Sequence, residues 1–306
     1  DESTVTFWQH IWLGNATANK QTFGSFGANS VGQEFNKFRY QPAIIAGSGP
    51  SLKINAHELK NRGGIPLISC LHNFHYFEDL GLAPEYYITL DAGEVTQEEV
   101  YEGGTKTPDE YWEMTKDRTL IAFISTSPNL LKKWKGKILF FNSPIPSPEL
   151  VKKIDDVETF NCFLSTGGNV LGACLYFSKA ILGCTQTIFV GADFSFGYDR
   201  RFHSWDSKYD KNMGQTMRVM DVYGNKVHTW ASYYGFKQYF DSVSLRLPGT
   251  YYNCTEGGCL GAYDQGNLST FKYMDLRDCL RQLNINLDIS DQMTNSLAEP
   301  KKILYS

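Results

Sequence analysis

The sequence has no Cys-x-x-Cys pair, no excess of basic residues and no long apolar run, and each absence removes a class of protein. Its seven cysteines (Cys70, Cys162, Cys174, Cys184, Cys254, Cys259 and Cys279) sit mostly inside apolar stretches. Cys254 and Cys259 have no second ligand pair at finger-like spacing, so a structural zinc site is not expected. An odd set of scattered thiols suits a reducing compartment, which gives cytoplasmic as the expected location. Lys and Arg number 29 against 33 Asp and Glu, a net charge of -4. That balance lacks the basic stripe of nucleic-acid binders, so nucleic acid is not an expected partner. No segment approaches the roughly 18 apolar residues of a bilayer span. The patterns G-x-G-x-x-G and G-x-x-x-x-G-K-[ST] are missing. So are G-x-S-x-G and H-E-x-x-H, which argues against a standard serine hydrolase or zincin. The chain starts at Asp1 without a signal-like segment, as expected of a processed chain or a piece of a longer one.

What is present is a core: 42% of the 306 residues are hydrophobic, enough for one large α/β domain or two modest ones. Short apolar runs at 43–45, 65–69, 86–90, 120–124, 138–141 and 187–190 alternate with longer mixed segments. Strands spaced by helical patterns predict βαβ units, hence a Rossmann-like, doubly wound α/β fold with a mostly parallel sheet. Residues 1–40, with a short amphipathic stretch around Phe7 to Leu13, predict an arm or helix packed on this core. The core domain is expected over 41–285, with a C-terminal tail over 286–306. Beyond residue 195 the chain turns rich in Tyr, Arg, His, Asp and Lys up to about 217, which reads as a lid-like insertion.

In such sheets ligands bind beyond the carboxyl ends of the strands, and several distinctive residues fall there. The first strand runs into Gly47-Ser48-Gly49-Pro50-Ser51. Glycines able to take positive φ, beside serine hydroxyls and unshielded N–H groups, suit the phosphate or sugar of a nucleotide. The same residues also suit a tight strand-to-helix turn. Asn73, Asp91 and Asp193 follow later strands. A carboxylate at Asp91 or Asp193 suits a ribose hydroxyl, a Mg²⁺ ion near a diphosphate or general-base work, and equally the capping of a turn. Ser165-Thr166-Gly167-Gly168 precedes a helical pattern from Val170, so its N–H groups face an anion or serve an ordinary cap. His203 and His228 lie in polar contexts, and imidazole titrates near neutral pH. His72 and His75 lack further metal ligands and read as structural. Tyr198, Arg200 and Arg201 in the insertion are candidates to neutralise donor charge.

Together the segments 43–52, 165–168, 190–194 and 253–258, with Asp91, resemble the Maf/MptE-like superfamily over roughly residues 40–280. That group holds motility-accessory-factor glycosyltransferases and 6-hydroxymethylpterin diphosphokinases. A more distant likeness is to bacterial sialyltransferases that use CMP-sialic acid, through the Gly-x-Gly-Pro-Ser-Leu turn and the Asn73-Phe74-His75-Tyr76-Phe77-Glu78-Asp79 run. The resemblance implies a transferase with a nucleotide-activated donor, a CMP-sugar among the options, bound by Gly47, Ser48, Gly49, Pro50, Ser51, Asn73, Ser165, Thr166, Gly167, Gly168 and Asp193. It implies a catalytic histidine at His228 by the sialyltransferase likeness or at His203 by the Maf likeness, with Asp91 as a further catalytic candidate. The diphosphokinase alternative implies ATP, a pterin acceptor and Mg²⁺ on Asp91 or Asp193. Otherwise the acceptor is a glycan or a protein. A third alternative is a nucleotide-binding or assembly protein without turnover.

Overall fold

The computed structural model describes residues 2–205, 207, 214–263 and 268–284. Each of the six apolar runs forms a strand: β1 (Pro42–Ala46), β2 (Leu67–Cys70), β3 (Tyr86–Thr89), β4 (Thr119–Phe123), β5 (Lys137–Phe141) and β6 (Gln186–Val190). An antiparallel hairpin, β7 (Met217–Met220) and β8 (Lys226–Thr229), rises from the insertion, and β9 (Thr250–Asn253) and β10 (Lys272–Tyr273) extend the main sheet. That sheet has the order β10-β9-β6-β1-β2-β3-β4-β5, and every neighbouring pair is parallel. Parallel strands covered on both faces read as continuous apolar runs, and β1 is buried at all five positions.

The pleat divides these residues between two cores. Ala43 and Ile45 of β1, Ile68 of β2 and Phe189 of β6 face the larger one. Ile44, Ala46, Leu67, Ile188 and Val190 face the smaller. This alternation with period two sandwiches the sheet between helical layers. Helices are α1 (Glu2–Phe23), α2 (Leu52–Asn55), α3 (Phe74–Asp79), α4 (Pro108–Met114), α5 (Pro128–Lys133), α6 (Pro148–Val157), α7 (Val170–Tyr176) and α8 (Ala231–Arg246), with one more α-helix over 276–284. The fold is therefore the doubly wound, Rossmann-like α/β architecture. Strand order reverses between β1 and β6, so the connections that follow them leave in opposite directions and open a crevice above the two strand ends. The last predicted strand, β6, is not the sheet's last. The run at 250–253 is too short, and too close to polar residues, to announce β9 in the sequence.

The N-terminal arm is a 22-residue helix, longer than the amphipathic stretch at 7–13. Two side-chain amides one turn apart hook it to the sheet. Asn15 Nδ2 donates to the carbonyls of Ala92 (2.9 Å) and Ser125 (3.0 Å), and Asn19 Nδ2 to those of Ile124 (2.9 Å) and Thr126 (2.8 Å). These carbonyls follow β3 and β4, so α1 crosses the carboxyl ends of the sheet and brings Trp8 and Trp12 to the crevice. Trp12 stands edge-on to Phe123, ring centres 6.5 Å apart. Asn19 is fully buried. Replacing it by Ala deprives two buried carbonyls of their donor, and Asn19→Ala is expected to lower unfolding free energy by about 2–4 kcal/mol with an unchanged denaturant slope. A urea midpoint within error of the unmodified protein's would show that α1 is held by other contacts.

Candidate functional site

The turn after β1 is glycine-rich for a different reason from the one the sequence suggests. Neither Gly47 nor Gly49 has a positive φ. Both are glycine because β6 crowds them: a Cβ on Gly47 would lie 2.4 Å from the Gly191 carbonyl oxygen, and one on Gly49 2.0 Å from Asp193 Oδ2. The Gly47 N–H donates to Val190 O (2.9 Å) and the Gly49 N–H to Gly191 O (2.9 Å), which stitches the two strand ends together. Asp193 sits in the seam. Its Oδ1 accepts from the Ser51 N–H (3.2 Å) and its Oδ2 from the Ser51 hydroxyl (2.8 Å). Gly258 closes the other side, where a Cβ would lie 2.3 Å from Asp193 Cα. Asn55 of α2 donates to Cys254 O (2.9 Å) and Glu256 (2.6 Å), tying the 254–258 segment to the same turn. Burial pushes the Asp193 carboxyl up to about 7, with the Ser51 hydrogen bonds opposing.

Above this seam lies a cavity of about 550 Å³. One end is formed by Gly47, Ser48, Gly49, Thr166, Gly168 and Asp193, the other by Trp8, Trp12, Phe123, Pro144 and Pro146, with Asp91 and Glu99 also in its wall. Asn169 caps α7, accepting from the Gly172 N–H at 3.1 Å, so neither Ser165 nor Thr166 is the cap. Burial, then the nearby charge of Asp91, push the Glu99 carboxyl well above its ordinary value, and burial raises Asp91. None of the described residues lining the cavity is Lys or Arg.

The structure thus brings Gly47, Ser48, Gly49, Thr166, Gly168, Asp193, Asp91 and His203 to one cavity. Ser51, Pro50, Asn73, Ser165 and Gly167 do not line it. Ser51 holds Asp193 instead. Asn73 is buried under the turn, its Nδ2 donating to Gly47 O (2.8 Å) and Ser69 Oγ (3.1 Å). The Ser165 hydroxyl meets the Tyr239 hydroxyl at 3.5 Å. His228 belongs to the hairpin: its Nδ1 is 2.9 Å from the Thr216 hydroxyl, and its carbonyl accepts from Phe196 N–H. It stands off the cavity wall, as do Tyr198, Arg200 and Arg201. Sequence reasoning missed Trp8, Trp12 and Glu99, and His72, read as structural, is part of the wall. Nothing in the spacing of Glu99 ties it to Asp91; the short helical segment Glu94–Val100 folds it back.

A resident Mg²⁺ ion does not fit these residues. Asp193 gives both oxygens to Ser51, and among the described residues no three His, Cys, Asp or Glu side chains converge as a metal would need.

The insertion closes over the turn through one docked side chain. Trp205 lies in a notch at Gly103, where a Cβ would be 2.4 Å from the indole, and meets His75 edge-on (4.6 Å) and His72 (5.3 Å), while His203 stacks on it (5.2 Å). The neighbouring Ser204 hydroxyl donates to Gly49 O at 2.6 Å. His72 Nε2, both ring nitrogens of His75 and Trp205 Nε1 are buried without a hydrogen-bond partner. Burial, helped by His203 and His75, brings His72 down to about 3; burial brings His75 down to about 4 against the pull of Asp79 and Glu102. Both rings are therefore neutral while Trp205 is docked.

Fold and crevice define a Rossmann-like protein with its site at the topological switch point. The chain belongs to the 6-hydroxymethylpterin diphosphokinase MptE-like family, whose profile matches residues 15–199, and so to the Maf/MptE-like superfamily. Among solved structures it is similar to the Maf glycosyltransferase from Magnetospirillum magneticum AMB-1, with 14% sequence identity and a TM-score of 0.58 over 92% of this chain. It spans 42% of that protein's length. No curated protein matches the sequence. No described helix is long and apolar enough to cross a membrane.

Two outcomes follow from the titrating groups. Because the folded Asp193 carboxyl is raised above its ordinary 3.8, its favourable contribution is present below that value and is lost as pH rises through about 7. Asp193→Asn removes the cost of the buried charge, so at pH 8 it is expected to stabilise the protein by roughly 1–3 kcal/mol, with the difference shrinking by pH 5. Urea unfolding at the two pH values measures this, and equal differences at both would refute the assignment. For His72 and His75 the depressed values act in the opposite sense: docking is intact above about 6.5 and weakens as pH falls towards 4. Hydrogen exchange at 202–205 should accelerate between pH 7 and 5, after correction for intrinsic rates, more than in β1; parallel changes in both segments would mean that the imidazoles do not govern docking.

Proposed function

We propose that the protein is a transferase that binds a nucleotide-activated donor across the β1 and β6 ends and moves a glycosyl group to an acceptor. The observation that carries this reading is the Gly47–Gly49 turn seamed to Asp193 at the topological switch point. Backbone N–H groups at Ser48 and Thr166 receive the donor phosphate, and Asp193, its oxygens braced by Ser51, sets the turn against the nucleotide. His203, on the cavity wall beside this end, protonates the leaving phosphate, and Asp91 takes the acceptor's proton. His203 replaces His228 as the favoured histidine because, of the two, His203 lines the cavity. The apolar end suits a sugar: aromatic faces pack against C–H faces, and carboxyl groups bond hydroxyls.

The family's name favours a second reading, a diphosphokinase using ATP and a pterin. That chemistry concentrates phosphate charge where the described wall carries three carboxyl groups and no Lys or Arg, so a divalent cation would have to arrive with the nucleotide. Seven free cysteines, six of them buried, support a cytoplasmic location.

A thermal-shift panel of CMP, CDP, UDP, GDP and ATP, each with and without Mg²⁺, separates the readings, because a ligand that binds only the native state raises the melting temperature. We expect stabilisation by CMP or UDP that EDTA leaves intact and that Gly49→Ala abolishes. A response confined to ATP with Mg²⁺ would transfer the protein to the diphosphokinase reading, and no response to any nucleotide would leave a protein without this donor chemistry.

A further inference from the structure

Four nitrogens beside the cavity are buried without a hydrogen-bond partner: Nε2 of His72, Nδ1 and Nε2 of His75 and Nε1 of Trp205. Buried polar atoms are nearly always paired in folded proteins, so a group of them around one ring calls for an occupant that can pair with them. The ring is the Trp205 indole, buried in a slot walled by residues 72–76, which follow β2, and by Gly103. Tyr76 lies 5.6 Å from it between ring centres, planes inclined by 35°, and His203 stacks on it at 5.2 Å and 28°. His75 stands edge-on at 4.6 Å. A Cβ on Gly103 would lie 2.4 Å from the indole Cδ1, 3.0 Å from its Nε1 and 3.4 Å from His75 Nε2, so any residue but glycine would close the slot. The slot adjoins the cavity, because His72 and His203 touch Trp205 and also line the cavity. It adjoins the turn after β1 as well: Ser204, whose hydroxyl donates to Gly49 O at 2.6 Å, is one residue from Trp205, and consecutive Cα atoms are about 3.8 Å apart.

A flat ring that fits this slot needs polar atoms on its edge. Burial keeps His72 and His75 neutral, so each presents one N–H and one bare nitrogen. An indole has one N–H and no acceptor, and here even that donor is unused. A nucleobase carries both donors and acceptors around its edge, and its faces stack on aromatic rings as the indole does. A purine repeats the two fused rings of the indole, and a pyrimidine takes up less of the same space. We propose that the slot is the base subsite of the donor nucleotide and that Trp205 occupies it in the ligand-free protein, leaving when the base arrives. This rests on the transferase reading given above, in which the phosphate lies at the Gly47–Gly49 turn, so that the ribose joins turn to slot. Binding then has to displace the indole, and the affinity measured for a nucleotide is lowered by the fraction of protein from which Trp205 has already left. A compound with the sugar and the phosphate but no base does not meet that cost.

The test sets CMP, UMP, AMP and GMP against ribose 5-phosphate, which carries no base. In the unmodified protein labelled with ¹⁵N, the indole N–H signal of Trp205, assigned by its loss in Trp205→Phe, is followed during each titration. We expect it to move to the position of a solvent-exposed indole as a nucleotide saturates and to stay in place with ribose 5-phosphate. Whichever nucleotide moves it at the lowest concentration tells a pyrimidine subsite from a purine one. In calorimetric titrations Trp205→Ala should bind that nucleotide about tenfold more tightly, the gain expected when Trp205 is docked in about nine-tenths of the ligand-free protein, and should bind ribose 5-phosphate no more tightly. His75→Phe, which keeps a ring and removes both nitrogens, should weaken the nucleotide about tenfold and leave ribose 5-phosphate unchanged. A nucleotide that binds, and stops binding in Gly49→Ala, while the Trp205 signal stays put would overturn the base subsite and leave the transferase reading standing. A gain in Trp205→Ala shared equally by ribose 5-phosphate would do the same. If none of the four nucleotides binds either the unmodified protein or Trp205→Ala, the transferase reading falls and the base subsite with it.

Discussion

The contact on which the rest depends is the seam between the ends of β1 and β6. Two parallel strands whose following connections leave in opposite directions would normally part, yet here the Gly47 and Gly49 amides reach across to Val190 and Gly191 before they do. The approach is so close that no Cβ fits on Gly47 or Gly49 without a clash. Asp193 is the consequence. Held between Gly49, Ser51 and Gly258, it is a carboxyl whose desolvation is opposed by two hydrogen bonds from Ser51. A group poised in this way costs stability and is found where it has work to do.

Everything else at the site is arranged around that seam by elements distant in sequence. Asn73 holds the turn from below through Gly47 O. The insertion covers it from above, with Ser204 on Gly49 O and Trp205 sunk among His72 and His75. Helix α1 closes the far end by way of Asn15 and Asn19, whose amides satisfy four loop carbonyls that would otherwise be buried without donors. The cavity is thus a joint product of four segments. Its wall joins the Gly47–Gly49 turn and the Thr166 and Gly168 backbone to the rings of Trp8, Trp12 and Phe123.

The fold was legible because a parallel sheet covered on both faces must be built from runs such as Ala43-Ile44-Ile45, whereas a strand with one wet face would alternate apolar with polar residues. The ends of those runs were legible too. Gly47 to Gly49, Asp91, Thr166, Gly168 and Asp193 stand where the doubly wound arrangement places ligands, and the cavity gathers all of them. What misled was attribution. Gly47 and Gly49 looked like conformational glycines and are steric ones. Asn73 and Ser51 looked like ligand contacts and are braces. His228, the histidine the sequence favoured, is carried away from the wall by the hairpin.

By itself, then, the sequence determined the periodicity of burial, the parallel sheet and the strand ends at which polar residues accumulate, because each of these is fixed by neighbours along the chain. The tertiary structure alone decided that α1 carries Trp8 and Trp12 to the cavity, that the Glu94–Val100 segment brings Glu99 into the same wall as Asp91 and that Asp193 is clasped by Ser51 across 142 positions of sequence. Those relations depend on distances between segments, and the burial that raises a carboxyl or neutralises an imidazole exists only once the segments have met.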